Sequence, residues 1–169
     1  MRTTGIVRRL DELGRIVIPR EYRRLYSINI GDPLEIVAME NGDIVISKVS
    51  TESDLVALGR SACESLASEF GLTATVSNLK EYMAGAGGGK SAVIGKELTP
   101  DLTKQIKDRR SGICSGVNYG FSYMAYAPIF GTSDVFGGIF LFGGVQPDES
   151  KLASLKIAGK LIGDSLQKF

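Results

Sequence analysis

The chain has 169 residues, 43% of them apolar and 23% charged, with 20 basic side chains balanced by 19 acidic ones and no histidine. That is an ordinary soluble composition, with room for one or two domains and a sizeable core. The missing histidine removes the Ser-His-Asp and Cys-His catalytic arrangements and the commonest transition-metal ligand, so the expectation is a protein that is not an enzyme and holds no metal or cofactor.

No apolar run approaches the roughly 18 residues of a membrane-spanning helix, and MRTTGIVRR lacks the apolar core of a signal peptide, so no membrane association is expected and the expected compartment is the cytoplasm. Cys63 and Cys114 are the only cysteines and form no CxxC pair. This spacing excludes a disulfide framework and a cysteine-only zinc site.

The near-neutral total hides a strong local asymmetry. Arg2, Arg8, Arg9, Arg15, Arg20, Arg23 and Arg24 face only Asp11, Glu12 and Glu21 in the first 24 residues, while Lys48 stands alone against Asp32, Glu35, Glu40, Asp43 and Glu52 over residues 25–53. Ile6 to Leu10 and Ile16 to Ile18 read as strands joined by the turn Asp11-Glu12-Leu13-Gly14, which projects Arg15 from the hairpin end. Pro19 suits the first turn of a helix, so a short helix is expected from about Pro19 to Tyr26. At 100° per residue it carries Arg20, Arg23 and Arg24 on one face and Tyr22, Leu25 and Tyr26 on the other. One face can pack while the other meets phosphate.

The run GIVRRLDELGRIVIPREYRR, followed by INIGDPLEI, resembles the amino-terminal domain of the AbrB-type, or SpoVT-AbrB swapped-hairpin, transcriptional regulators. The resemblance covers about residues 1–50. It implies a dimeric, intertwined β-barrel that binds double-stranded DNA, and it carries the family's DNA-contacting arginines onto Arg8, Arg15, Arg23 and Arg24. Arg9 and Arg20 join them on geometry. Arginine's planar fork suits phosphate oxygens and the guanine edge. A sporulation or transition-state role and association with the nucleoid are further implications of the resemblance.

Asp32 to Met39 and Ile44 to Val49 read as paired strands about the tight turn Glu40-Asn41-Gly42-Asp43. About 50 residues without disulfide or metal make a marginal monomer, and dimerisation would supply the missing core. A boundary is expected near Ser50 to Ser53, where Thr51 and Asp54 resemble a capping box opening a linker helix over 51–70 that Gly71 ends. Leu55, Leu58, Ala62, Leu66 and Phe70 give that helix an apolar face, to cover either the second domain's sheet or the same helix of a partner subunit.

Residues 71–169 form the expected second domain, with strands at Thr73–Ser77, Tyr82–Ala84, Ala92–Ile94, Ser122–Ile129 and Ile139–Phe142, a polar helix from Pro100 to Arg110, and a last helix opened by Pro147-Asp148-Glu149. The layout gives an α+β fold class: a swapped-hairpin barrel joined by a helix to a GAF-like domain, with helices on one side of an antiparallel sheet. This domain would serve sensing or assembly, leaving open whether dimers pair into tetramers through it.

Several motifs in this half carry less than they suggest. GAGGGKS fails the P-loop spacing, since only three residues follow Gly85 before Gly89, and reads as a flexible hairpin loop. Gly137-Gly138 and Gly143-Gly144 read as bends or strand ends, the first pair permitting close approach of a ligand. Tyr119, Phe121 and Tyr123 share a parity on an extended chain and are the candidates for binding an unidentified small-molecule effector.

Two other functions compete with the regulator. An antitoxin shares the swapped-hairpin amino terminus but usually continues as an acidic tail, unlike the strongly patterned second half here. A redox enzyme would have to use Cys114 or Cys63 without a histidine activator or a nearby resolving thiol.

Overall fold

A computed structural model of the chain describes residues 5–26, 28–48 and 51–167. Arg2, counted above in the basic charge, and Val49 and Ser50, expected at a strand end and at the domain boundary, lie outside the described residues. The chain divides into two compact units, Met1–Val49 and Ser50–Phe169.

In the first unit, helix α1 spans Arg20–Leu25, with Pro19 at its N-cap and Tyr26 at its C-cap. Strand β1 (Leu34–Ala38) pairs antiparallel with β2 (Ile44–Lys48), with Ile36 opposite Ile46. The Asn-Gly turn behaves as its chemistry requires: Gly42 sits at φ +86°, and its N–H donates to the Met39 carbonyl.

The segments expected as strands at Ile6–Leu10 and Ile16–Ile18 form no ladder among the described residues. Their turn does close, through Asp11 N–H to the Arg15 carbonyl at 3.0 Å, but a strand is defined by a paired neighbour, and beyond the tip neither segment has one.

The second unit is built on a five-stranded antiparallel sheet in the order β4-β3-β7-β6-β5. Its strands are β3 (Thr73–Ser77), β4 (Tyr82–Ala86), β5 (Gly112–Ser115), β6 (Tyr123–Phe130) and β7 (Val135–Gly143). Helices α2 (Thr51–Phe70) and α4 (Glu149–Leu166) cover one face, and α3 (Pro100–Lys107) lies on the other.

Period-two alternation sorts the side chains between the two faces. Ala74, Val76, Ala125, Ala127, Ile129, Ile139 and Leu141 meet Leu55, Cys63 and Leu66 of α2 and Leu155 and Ile162 of α4. Tyr82, Met124, Tyr126, Phe140 and Phe142 point the other way, against Val93, Leu98, Leu102 and Ile106. Each fully buried phenylalanine contributes about 2 kcal/mol of hydrophobic stabilisation.

Three expectations change here. Helices flank the sheet on both faces, because Leu102 and Ile106 give α3 its own apolar edge. The stretch expected as a strand at Ala92–Ile94 instead holds the last residue of a 3-10 turn, Lys90–Ala92, and the turn that follows it. Gly137 and Gly138 lie inside β7 rather than at a bend: a Cβ at Gly137 would overlap the Ser77 carbonyl, and one at Gly138 would meet Ile106 Cδ1 at 2.8 Å. Close approach is needed, but by the protein itself.

The expected linker helix is a layer of this unit. Gly59 lets α2 settle on β3, since a Cβ there would lie 2.6 Å from Val76 Cγ1. Gly71, at φ +64°, ends the helix with its N–H bonded to the Ala67 carbonyl.

Candidate nucleic-acid interface

Helix α1 is short because the chain gives it little room. Pro19 fixes the backbone at its start, and after Tyr26 the Ile28 N–H turns back to the Arg23 carbonyl at 2.7 Å. Within six residues it presents two unlike surfaces. Arg20, Arg23 and Arg24 border one polar depression, together with Ile28 and Asn29. Tyr22 and Tyr26 border an apolar groove with Ile6, Val7, Arg8, Ile16, Val17 and Ile46. Leu25 departs from its expected side, lying instead by Arg20, Glu21 and Arg24.

The basic side chains differ in how they are held. Arg20 and Arg24 are exposed, as are Arg8, Arg9 and Arg15 on the preceding segment. Arg23 is half-buried, and its Nε is enclosed with no hydrogen-bond partner among the described residues. A buried donor left unsatisfied costs about 1–3 kcal/mol.

The structure therefore gathers Arg20, Arg23 and Arg24 at one place. Arg8 stands on the rim of the apolar groove and Arg15 at the hairpin tip.

Two sets of contacts not read from the sequence organise this surface. The Ile6 N–H donates to the Tyr22 hydroxyl at 3.2 Å, tying the entering segment to α1. Asp11 takes the Arg15 Nε at 2.8 Å while accepting from the Leu13 and Arg15 N–H groups. These bonds hold the Asp11 carboxyl below its ordinary range, the Arg15 backbone bond being the main cause. Asp11, three residues before Gly14, thus closes the turn expected at Asp11-Glu12-Leu13-Gly14 with its own carboxylate.

In the second unit the candidate effector residues separate. Tyr119 and Phe121 pack on the α3 side, where the Tyr119 ring meets Tyr82 edge-on at 6.3 Å and Phe121 lies 5.3 Å from Phe142. Tyr123 has the alternation of Ala125 and Ala127, which face the helices. The expected shared parity fails because residues 119–122 are not extended: Tyr119 and Gly120 both take positive φ, 79° and 83°. The Tyr82, Phe140, Phe142 and Phe121 rings fill this side by touching one another.

The glycine loop is held rather than loose, with the Gly89 N–H on Thr73 Oγ1 at 3.2 Å and the Phe121 ring against Gly89. Neither thiol is activated: burial pushes Cys63 up to about 12 and raises Cys114 as well, which suppresses the nucleophilic thiolate.

Comparison with known proteins agrees with this two-part construction. Residues 7–54 match the family described as "Antidote-toxin recognition MazE, bacterial antitoxin". Stage V sporulation protein T of Bacillus subtilis is 30% identical over 152 residues, covering 84% of this chain and 85% of that protein. The transition state regulatory protein AbrB of the same organism is 50% identical over 48 residues, 28% of this chain and 49% of that one. The second GAF domain of DevS from Mycobacterium smegmatis superposes with a TM-score of 0.57 over 66% of this chain and 91% of its own, at 12% identity. That likeness establishes a GAF-type fold.

Proposed function

Because the chain belongs to the family of stage V sporulation protein T, we propose that it is a DNA-binding transcription regulator of sporulation or transition-state genes, working in the cytoplasm at the nucleoid. The observation that carries this reading is the two-sided α1, with three arginines around one depression and an apolar groove behind them. A homodimer formed through the first unit would cover that groove and set two arginine clusters along one duplex. Arg8, Arg9 and Arg15 then extend the contact beyond Arg20, Arg23 and Arg24. Arginines on phosphates fix position, and contacts to base edges or the deformability of A·T-rich DNA supply preference.

The second unit senses an effector or joins dimers. An effector would bind on the α3 side, by Tyr119 and Phe121, and bias α2, which follows the first unit in chain order. Equal DNA affinity with and without residues 51–169, across the metabolites tried, counts against such coupling.

The test is a salt titration of duplex binding by fluorescence anisotropy. With roughly six phosphates neutralised per dimer, log affinity falls with log salt at a slope of about −5. An Arg23→Ala, Arg24→Ala variant of unchanged dimer state binds much more weakly and with a shallower slope. No binding by the native chain at low salt defeats the reading.

The match of residues 7–54 to an antitoxin family favours a second reading, in which the chain also neutralises a toxin. Limited proteolysis separates the two: a resistant carboxy-terminal fragment argues against an antitoxin whose tail folds only on its toxin.

A further inference from the structure

We propose that Asp11 is a positioning residue for DNA recognition: it fixes the Arg15 guanidinium at the hairpin tip, trading a repulsive charge near DNA for an ordered arginine. The inference rests on the DNA-binding reading above.

Both carboxylate oxygens of Asp11 are engaged, and in different tasks. Oδ1 accepts from the Leu13 N–H at 3.0 Å and the Arg15 N–H at 2.8 Å, closing the turn in which Gly14 takes φ +74°. Oδ2 takes the Arg15 Nε at 2.8 Å. The backbone adds Asp11 N–H to the Arg15 carbonyl and Gly14 N–H to the Asp11 carbonyl, both at 3.0 Å. Backbone and side chain of Arg15 are thus referred to one residue.

The pair is exposed, with the side chains 70% and 42% accessible, so it contributes little to folding. Its value lies elsewhere. Arginine carries five N–H donors, and this bond uses Nε, leaving the Nη edge to meet a phosphate or a guanine. A side chain already held at Nε loses less conformational freedom when it docks.

A carboxylate beside DNA also repels phosphate. Charge alone therefore predicts that neutralising Asp11 tightens binding to every duplex, whereas positioning predicts weaker binding where Arg15 makes an ordered contact. The two effects have opposite signs.

The experiment uses the full chain and two probes: a random-sequence duplex, and the duplex most enriched by the native chain from a randomised pool. Asp11→Asn keeps an oxygen for the turn but cannot hold Nε. Asp11→Ser can cap the same turn with its hydroxyl and cannot reach Nε, which guards against a folding defect in one variant.

Both variants should lose about fivefold on the selected duplex and bind the random one as well as the native chain or better. In an Arg15→Ala background, Asp11→Asn should cause no further loss on the selected duplex. Equal or tighter binding of the variants to both duplexes overturns the proposal, as does a loss that persists without Arg15. If the native chain binds neither probe, the DNA-binding reading fails and this inference falls with it.

Discussion

At the level of single residues, carboxylates beside turns and helix starts do more than their exposure suggests. Asp148 caps α4 with Oδ1 on the Lys151 N–H at 3.0 Å and the Ser150 hydroxyl at 2.7 Å, while Oδ2 takes the Lys151 ammonium at 2.6 Å. The Lys151 ammonium is the main reason its carboxyl sits well below the usual carboxylate range. A depressed folded value stabilises the native state above the unfolded value of about 4 and loses that contribution as pH falls through the folded one. Asp148→Asn, which retains a cap oxygen, should therefore melt below the native chain near pH 7, with the gap closing as pH falls below about 4. A pH-independent gap in thermal melts would mean that the cap geometry, not the charge, sets the effect. Pro147-Asp148-Glu149 announces this helix start in the sequence. Asp11's hold on Arg15 was not legible in the same way, because its four-residue spacing brings side chains together through a turn and not along a helix.

Among the elements, what the sequence conveys follows from period and punctuation. Helix α2 begins and ends where Thr51 and Gly71 indicate, and β3 matches its expected range residue for residue. Strand β5 was missed, since Gly112–Ser115 is four residues with one strong apolar side chain and acquires its identity only by pairing with β6. Glycines inside helices misdirect in the same manner. In isolation Gly163 weakens α4 by about 1 kcal/mol relative to alanine. In the fold, a Cβ at Gly163 would overlap the carbonyl and amide of Phe130, backbone atoms held in β6. We expect Gly163→Ala to lose about 2 kcal/mol in denaturant unfolding, because the overlap outweighs the gain in helix propensity. Gly88, with nothing near its would-be Cβ, should accept alanine with little change. A stabilising Gly163→Ala would show that α4 can shift off β6 freely.

For the molecule as a whole, the two units solve the problem of a core differently. Residues 51–167 enclose two apolar clusters, one on each face of the sheet. Among the described residues of the first unit Pro19 is the one that is buried, while Val7, Val17 and Ile30 are 88%, 75% and 96% exposed. An isolated chain leaving such side chains in water forgoes most of the stabilisation that burial supplies, so the first unit should draw its stability from association. Calorimetry of the intact chain should then show a first-unit transition that rises by about 5 °C for each tenfold increase in concentration. Gly163→Ala assigns the transitions, since it should lower the one belonging to the second unit and leave the other in place. If the first-unit transition stays fixed across concentration, its apolar surface is not covered by a second copy, and the paired arginine clusters required for the proposed grip on DNA lose their structural basis.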